Sequence, residues 1–558
     1  MSFKPISDYQ QKLQEQYCVE VSQKGKNCTA IYRNPSFKGI DLIKNPGPGL
    51  ETLQQIWFNS VLQYSKRPYL WQRNQVGKYD FKTYEQVDTI AKEIGSGVIN
   101  LKLAETKNDF KNYQITMIGI YAKNREEWLM VDIGCSQIYG MTSVPLYDSL
   151  GPDAVSYCLN HSGLTVVFAD SQSTDILLET KNIGQLKSIV LSEIRSQGRK
   201  QIRPFNYVTD VTPNHICAFS YTSGTTSDPK AAMIKHSNFT SVIACITLQQ
   251  KQSIQIVQDD IHLSYLPLPH VFDRLICHTI TFKGAQIGFN CGDITKIKED
   301  MCDLKPTIFI SVPRLYNKIY DGLKAKFEQE NCFSKFLINK GLSAKLDNLN
   351  TEKSMIHAFY DKIIFNKVAK NIFGGKVRVL ITGSAPLTAE VQQFFSVVFS
   401  CPFIQGYGLT ESSGQGICQV TNDVYGGVIG GPIANSEIKL QDIPDMNYLS
   451  TDTDEDGNPC PRGEICIRGP IIFEGYYKDQ DKTNEAIDQE GWLHTGDVGQ
   501  IDYKRNNAIK IIDRKKNIFK LSQGEYIAPE KLENIYLNTD GILESFIYGD
   551  SFKIIKIY

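Results

Sequence analysis

The sequence predicts an α/β protein: a large region of two doubly wound α/β subdomains and a small β-rich subdomain, followed by an incomplete small α+β C-terminal domain. Three observations carry this prediction. From Ile115 to Gly383, apolar runs of strand length alternate with amphipathic stretches, the pattern of parallel strands joined by helices. From about Gly426 the texture changes to short strands and turns, in GGVIGGP, GEICIRG, GWLHTGD and AIKIID. The chain of 558 residues also exceeds what one hydrophobic core organises.

Residues 1–110 mix polar helical stretches with turn punctuation such as NPGPG at Asn45–Gly49, and read as an N-terminal wrapping segment. Next, ITMIGIYA (115–122) is strand-like, REEWLMVDIGCSQIYG (125–140) is helix-like, and TSVPLY (142–147) and LTVVFAD (164–170) are again strand-like. The alternation returns in GAQIGF (284–289), PTIFISVP (306–313) and VRVLITG (377–383), which predicts a second α/β layer.

Sixty basic and sixty-one acidic side chains leave a net charge of −1, so nothing global recruits nucleic acid or anionic lipid and phosphate binding must be local. The 14 cysteines are scattered singly, without CxxC pairs, as in a chain of reduced thiols. The polar start lacks a signal-peptide core, no eighteen apolar residues run together, and the terminal IKIY is not a peroxisomal address. The expectation is a cytoplasmic chain whose membrane contact, on the endoplasmic reticulum or elsewhere, is peripheral.

The strongest local signal is YTSGTTSDPKAAM at Tyr221–Met233, with five Ser/Thr hydroxyls, one glycine and one lysine. Hydroxyls and exposed backbone N–H groups donate to phosphate oxygens, Gly224 permits close approach, and Lys230 adds a point charge. A Ser/Thr-rich surface loop accounts for the composition equally well. GxxxxGK[ST], a strand-borne GxGxxG, GxSxG and HExxH are all missing, which removes P-loop, dinucleotide-fold, serine-hydrolase and zinc-protease readings.

YTSGTTSDPK closely resembles the YTSGTTGxPKG signature of adenylate-forming enzymes, with Ser227 and Ala231 standing where that family has glycine. The resemblance implies that Thr222, Ser223, Gly224, Thr225, Thr226 and Lys230 grip the triphosphate of ATP. QGYGLTE resembles the family's adenine and magnesium segment. It implies that Gln405, Gly406, Tyr407 and Gly408 line the adenine site with Tyr407 stacked beneath the base, that Thr410 contacts phosphate, and that Glu411 is the Mg²⁺ carboxylate. GSAPL resembles the turn lining the adenine and acyl pocket, at Gly383, Ser384 and Ala385. GWLHTGD and IIDRKK resemble the segments that hold the ribose, through Asp497 and Arg514. Read alone, YGLTE is a helix start, GSAPL a strand-to-helix turn, Asp497 a turn residue and Arg514 a solvated charge.

VPLYDSLGPDA (144–154), SYLPLPHVFDR (264–274), GFNCGD (288–293), PTIFISVPRLYNKIYDG (306–322) and KLSQGEYIAPEKLENIY (520–536) resemble eukaryotic long-chain acyl-CoA synthetases. The implied reaction joins a long-chain fatty acid to CoA with ATP and Mg²⁺, releasing AMP and pyrophosphate. His270 corresponds to a histidine beside the acyl site, although a histidine after LPLP is equally a structural residue. Lys520 matches a lysine presented during thioester formation. The implied division is an adenylation part at 111–513, β-rich from about 426, and a partial mobile domain at 514–558. Only 45 residues follow Asp513, fewer than an independent domain usually needs. An adenylation-only or noncatalytic acyl- and nucleotide-binding protein is therefore the alternative expectation.

Overall fold

The computed structural model describes residues 16–111, 113–184, 186, 191–204, 211–222, 228–248 and 255–515, with 519–520, 526–527, 536 and 547. Among these, strands assemble into sheets of nine, seven and six strands and one two-stranded ribbon.

The nine-stranded sheet is parallel through Pro68–Arg73, Gln286–Phe289, Ile261–Ser264, Ile308–Ser311, Val379–Thr382 and Phe403–Tyr407. Its strands are short and buried on both faces, which is why they read as unbroken apolar runs. Ile308 and Ile310 enter one core with Leu70, Ile287 and Val379, while Phe309 points into the opposite core with Leu263, Leu380 and Phe403. Antiparallel strands close the edges: Tyr79–Thr83 at one, Ile417–Cys418 and Gly431–Pro432 at the other.

The seven-stranded sheet carries Tyr113–Tyr121, Thr142–Leu146, Val167–Ala169 and Ile216–Thr222 in parallel, with Thr106–Phe110 and Lys230–Lys235 antiparallel. The shared core between the two large sheets holds Ile118 and Ile120 together with Val87, Ala91, Ile94 and Val98 of the helix Tyr84–Asn100. Thr83 starts that helix with a reciprocal capping box to Gln86, satisfying donors that the first turn leaves open. The helix-like stretch at 125–140 is an α-helix, Glu126–Val131, running into a π-helix, Asp132–Ile138. This turn buries Asp132 against Arg274, whose guanidinium also donates to Ser143 Oγ at 2.5 Å.

The β-rich part is an antiparallel six-stranded sheet of Glu437–Gln441, Arg462–Arg468, Leu493–Asp502 and Ala508–Arg514, extended by Tyr32–Arg33 and Val19–Glu20. The first 110 residues thus contribute strands to all three sheets. One short strand goes the other way: Gly475–Tyr476 leaves the β-rich region and pairs with Lys230–Lys235 at the edge of the seven-stranded sheet. None of the 14 cysteines is in a disulfide.

Candidate active site

Strands Val379–Thr382 and Phe403–Tyr407 are parallel neighbours, with Thr382 opposite Gln405. Gly383, Ser384 and Ala385 therefore leave the sheet beside Gly406 and Tyr407, at the carboxyl ends of the strands, where open α/β sheets place ligands. A side chain at Gly383 would stand 3.3 Å from the Gly406 carbonyl oxygen and 3.4 Å from Phe272 Cζ. Ser384 sits in the left-handed region at φ 70°. At Gly408 a Cβ would meet Gln415 N at 2.4 Å, so only glycine lets the chain fold back there. Thr382 Oγ1 and Gln405 Oε1 are buried without a hydrogen-bond partner among the described residues.

Three of the residues singled out in the sequence meet at the edge of the β-rich sheet. Asp497 and Arg514 face each other in the antiparallel pair Leu493–Asp502 and Ala508–Arg514. Arg514 Nε donates to Asp497 Oδ1 at 2.8 Å, and the Tyr407 hydroxyl donates to Asp497 Oδ2 at 2.7 Å. Burial, reinforced by the Asp497 charge, pushes the Tyr407 phenol well above its ordinary value, so it remains a donor.

A second cluster joins the phosphate-loop strand to Glu411. Thr410–Ser412 is a single 3₁₀ turn following Tyr407, which projects Glu411 half-buried. Glu411 Oε1 accepts from the Tyr476 hydroxyl at 2.5 Å, and the Glu411 carbonyl accepts from Phe473 N–H at 2.9 Å. Lys230 lies opposite Thr222 in its hairpin, and its Nζ stands 5.4 Å from the centre of the Tyr476 ring. Burial first, and the Glu411 carboxylate second, push the Tyr476 phenol far above its usual value. Glu411 fits a magnesium ligand: it is a partly accessible oxygen donor, oriented by a phenol, and no described cation is ion-paired with it.

His270 Nδ1 accepts the Phe272 N–H at 3.1 Å and caps the helix Val271–Phe282. Burial lowers its pKa, so the ring is neutral at pH 7 with its proton on Nε2. The same turn sets Phe272 against Gly383. Ser223, Gly224, Thr225 and Thr226 lie outside the described residues. Lys520 stands in the strand Phe519–Lys520, opposite Tyr526.

Tyr476 was not singled out by the sequence, since nothing in FEGYYKD distinguishes a tyrosine of the β-rich texture from one added to another sheet. A network behind Asp497 was missed for the same reason. Glu464 Oε1 accepts from Gly496 N–H at 3.0 Å, and Glu464 Oε2 lies 3.4 Å from His494 Nδ1 and 3.5 Å from Lys515 Nζ. Hydrogen bonds to Cys466 and then Glu464 raise His494 to about 10. Elsewhere, a cavity of about 470 Å³ is lined by Lys298, Lys305, Lys326 and Lys370 and shares no residue with these clusters. Lys326 and Lys370 occupy last helical turns and Lys305 a C-cap, where positive charge offsets the helix dipole.

Comparison with known proteins follows the same lines. A family model described as AMP-binding enzyme matches residues 58–477. The chain is 38% identical over 533 residues to long chain acyl-CoA synthetase 7, peroxisomal, of Arabidopsis thaliana, covering 91% of this chain and 72% of that protein. It is 36% identical over 541 residues to long-chain-fatty-acid–CoA ligase 5 of Rattus norvegicus, covering 92% and 76%. In fold it is similar to the A domain of a carboxylic acid reductase from Segniliparus rugosus solved with AMP, at a TM-score of 0.69 and 24% identity over 90% of this chain and 80% of that one. It is likewise similar to a Mycobacterium tuberculosis fatty acyl CoA synthetase, at a TM-score of 0.63 and 19% identity over 89% and 85%.

Proposed function

The chain belongs to the AMP-binding enzyme family and, within it, to the long-chain acyl-CoA synthetases, and from this membership we propose how its residues divide the work of activating a fatty acid. The reaction is fatty acid + ATP + CoA to acyl-CoA + AMP + pyrophosphate. A free carboxylate cannot expel oxide, so its oxygen first attacks the α-phosphorus and pyrophosphate leaves with the P–O bonding pair. The CoA thiolate then attacks the acyl carbonyl, and AMP departs as phosphate monoester.

In this reading Asp497 and Arg514 take the ribose, Gly383 to Ala385 and Gln405 to Gly408 border the adenine, and Tyr407 reaches Asp497 beneath it. Thr222, Ser223, Gly224, Thr225, Thr226, Thr410 and Lys230 align the triphosphate. Mg²⁺ bound through Glu411 supplies positive charge that offsets the phosphates. His270, being neutral, borders the acyl site without pairing with the attacking carboxylate. Residues 111–513 form the adenylation part, and 514–558, with Lys520, belong to the part that reorients for thioester formation. The described residues hold no helix long and apolar enough to cross a membrane. Contact with a membrane, such as the cytosolic face of the endoplasmic reticulum, is peripheral in this reading.

The observation that carries the proposal is that one short segment, Tyr407–Glu411, gathers two clusters: Tyr407 holds Asp497, which Arg514 also holds, and Glu411 holds Tyr476, whose ring Lys230 approaches. It is tested by supplying ATP, Mg²⁺, CoA and a panel of fatty acids and quantifying acyl-AMP and acyl-CoA by mass spectrometry. Both species should form with long-chain acids. ATP binding without any fatty-acid-dependent pyrophosphate exchange would instead identify a binding protein.

A further inference from the structure

A carboxylate and an ammonium that both serve a polyphosphate face a common difficulty: drawn into one small site, they pair with each other. Glu411 and Lys230 are in this position, and the side chain between them is Tyr476. Its hydroxyl holds Glu411 Oε1 at 2.5 Å, while its ring face lies 5.4 Å from Lys230 Nζ. The geometry points to Tyr476 as a positioning residue for adenylation, one that orients Glu411 toward the metal and keeps Lys230 from collapsing onto it. This inference rests on the reading of Glu411 as the metal carboxylate.

Tyr476 is itself held from several sides. Its backbone N–H donates to Thr483 Oγ1 at 2.9 Å, and its ring meets Phe473 edge-on at 4.9 Å between centroids. It pairs with Ala232 across the sheet edge, and its side chain is buried. A phenol so fixed removes rotational freedom from the carboxylate it touches, leaving the remaining lone pairs aimed outward. The negative face of the ring simultaneously offers Lys230 a weak cation–π contact, which a phosphate readily replaces. Substituting an outer partner of a metal ligand typically costs about 10- to 100-fold in metal affinity.

Tyr476→Phe retains the ring and deletes only the hydroxyl. The Mg²⁺ concentration giving half-maximal pyrophosphate exchange should rise about 10- to 100-fold. Binding of Mn²⁺ to the enzyme with a non-hydrolysable ATP analogue, followed by electron paramagnetic resonance, should weaken by the same factor, while affinity for metal-free ATP stays within about twofold. Tyr476→Ala, which removes the ring as well, should also weaken metal-free ATP binding, because Lys230 is then free to pair with Glu411. In a Glu411→Gln background, Tyr476→Phe should add little, since it acts through that carboxylate. If Glu411→Gln shifts the metal dependence and Tyr476→Phe does not, the positioning role is wrong. If neither shifts it, the assignment of the metal to Glu411 itself fails.

Discussion

Asp497→Ala is the most direct challenge to the nucleotide site. The carboxylate offers about four acceptor positions, and the protein uses one on each oxygen, for Tyr407 and Arg514. The positions left over are the ones assigned to ribose hydroxyls. A hydrogen bond to a charged group contributes about 1.5–3 kcal/mol, so losing one such acceptor should weaken ATP binding roughly 10- to 150-fold. The Arg514 pair adds little to this figure, because the arginine side chain is 50% exposed and screened by water. Tyr407→Phe supplies the comparison: it frees Oδ2 but leaves the charge, and should change ATP affinity by less than about tenfold. Isothermal calorimetry on both variants, with thermal melts to confirm folding, reads these effects. Equal ATP affinity for wild type and Asp497→Ala would refute the ribose assignment.

Glu411→Gln should lower pyrophosphate exchange about a hundredfold or more and alter its Mg²⁺ dependence, read from metal titrations of the rate. Lys230→Ala should reduce the same rate about 10²- to 10³-fold with a smaller effect on ATP affinity, and equal losses in both would show that it serves ground-state binding only. Asp132→Ala strands the buried Arg274 guanidinium and should cost about 3–5 kcal/mol in denaturant unfolding, whereas a change under about 1 kcal/mol would mean that Ser143 suffices. His494 holds its proton up to about 10, against an ordinary value near 6.5. The folded state binds that proton more tightly, so the stability it contributes is complete below about pH 6.5 and is lost as pH rises through about 10. Melting temperatures taken from pH 6 to 10 should fall for the wild type and vary less for His494→Gln.

Much of the fold was legible because the central strands announce themselves. Ile308–Ser311 and Val379–Thr382 are buried on both faces, and such strands need uninterrupted apolar runs. The π-helical turn at Asp132–Ile138 was not legible, because its apolar spacing matches an α-helix until the chain must accommodate Asp132. At the site, the resemblance supplied Asp497, Arg514 and Glu411, and the geometry shows what a resemblance does not state: which group holds each of them. Tyr476 escaped notice because its role depends on the sheet edge to which two residues attach, and a two-residue strand has too short a period to read. Glu464 and His494 lie in strands whose sequence reports burial but not pairing.

The attachment of Gly475–Tyr476 to Lys230–Lys235 also bears on how the chain comes into being. Lys230–Lys235 has Ile216–Thr222 on one side, and its other side stays open until residues 475 and 476 exist. The ribosome adds 240 residues in going from Lys235 to Gly475, at about 5–20 residues per second, so the edge is bare for roughly 12–48 s. An uncovered strand edge recruits other strands, and lysines are a common deterrent. AAMI is bracketed by Lys230 and Lys235, which places one such charge at each end of the apolar run. Lys230, the residue proposed to serve phosphate, thus stands at one end of that run, and replacing both lysines should lower the soluble yield of newly made protein.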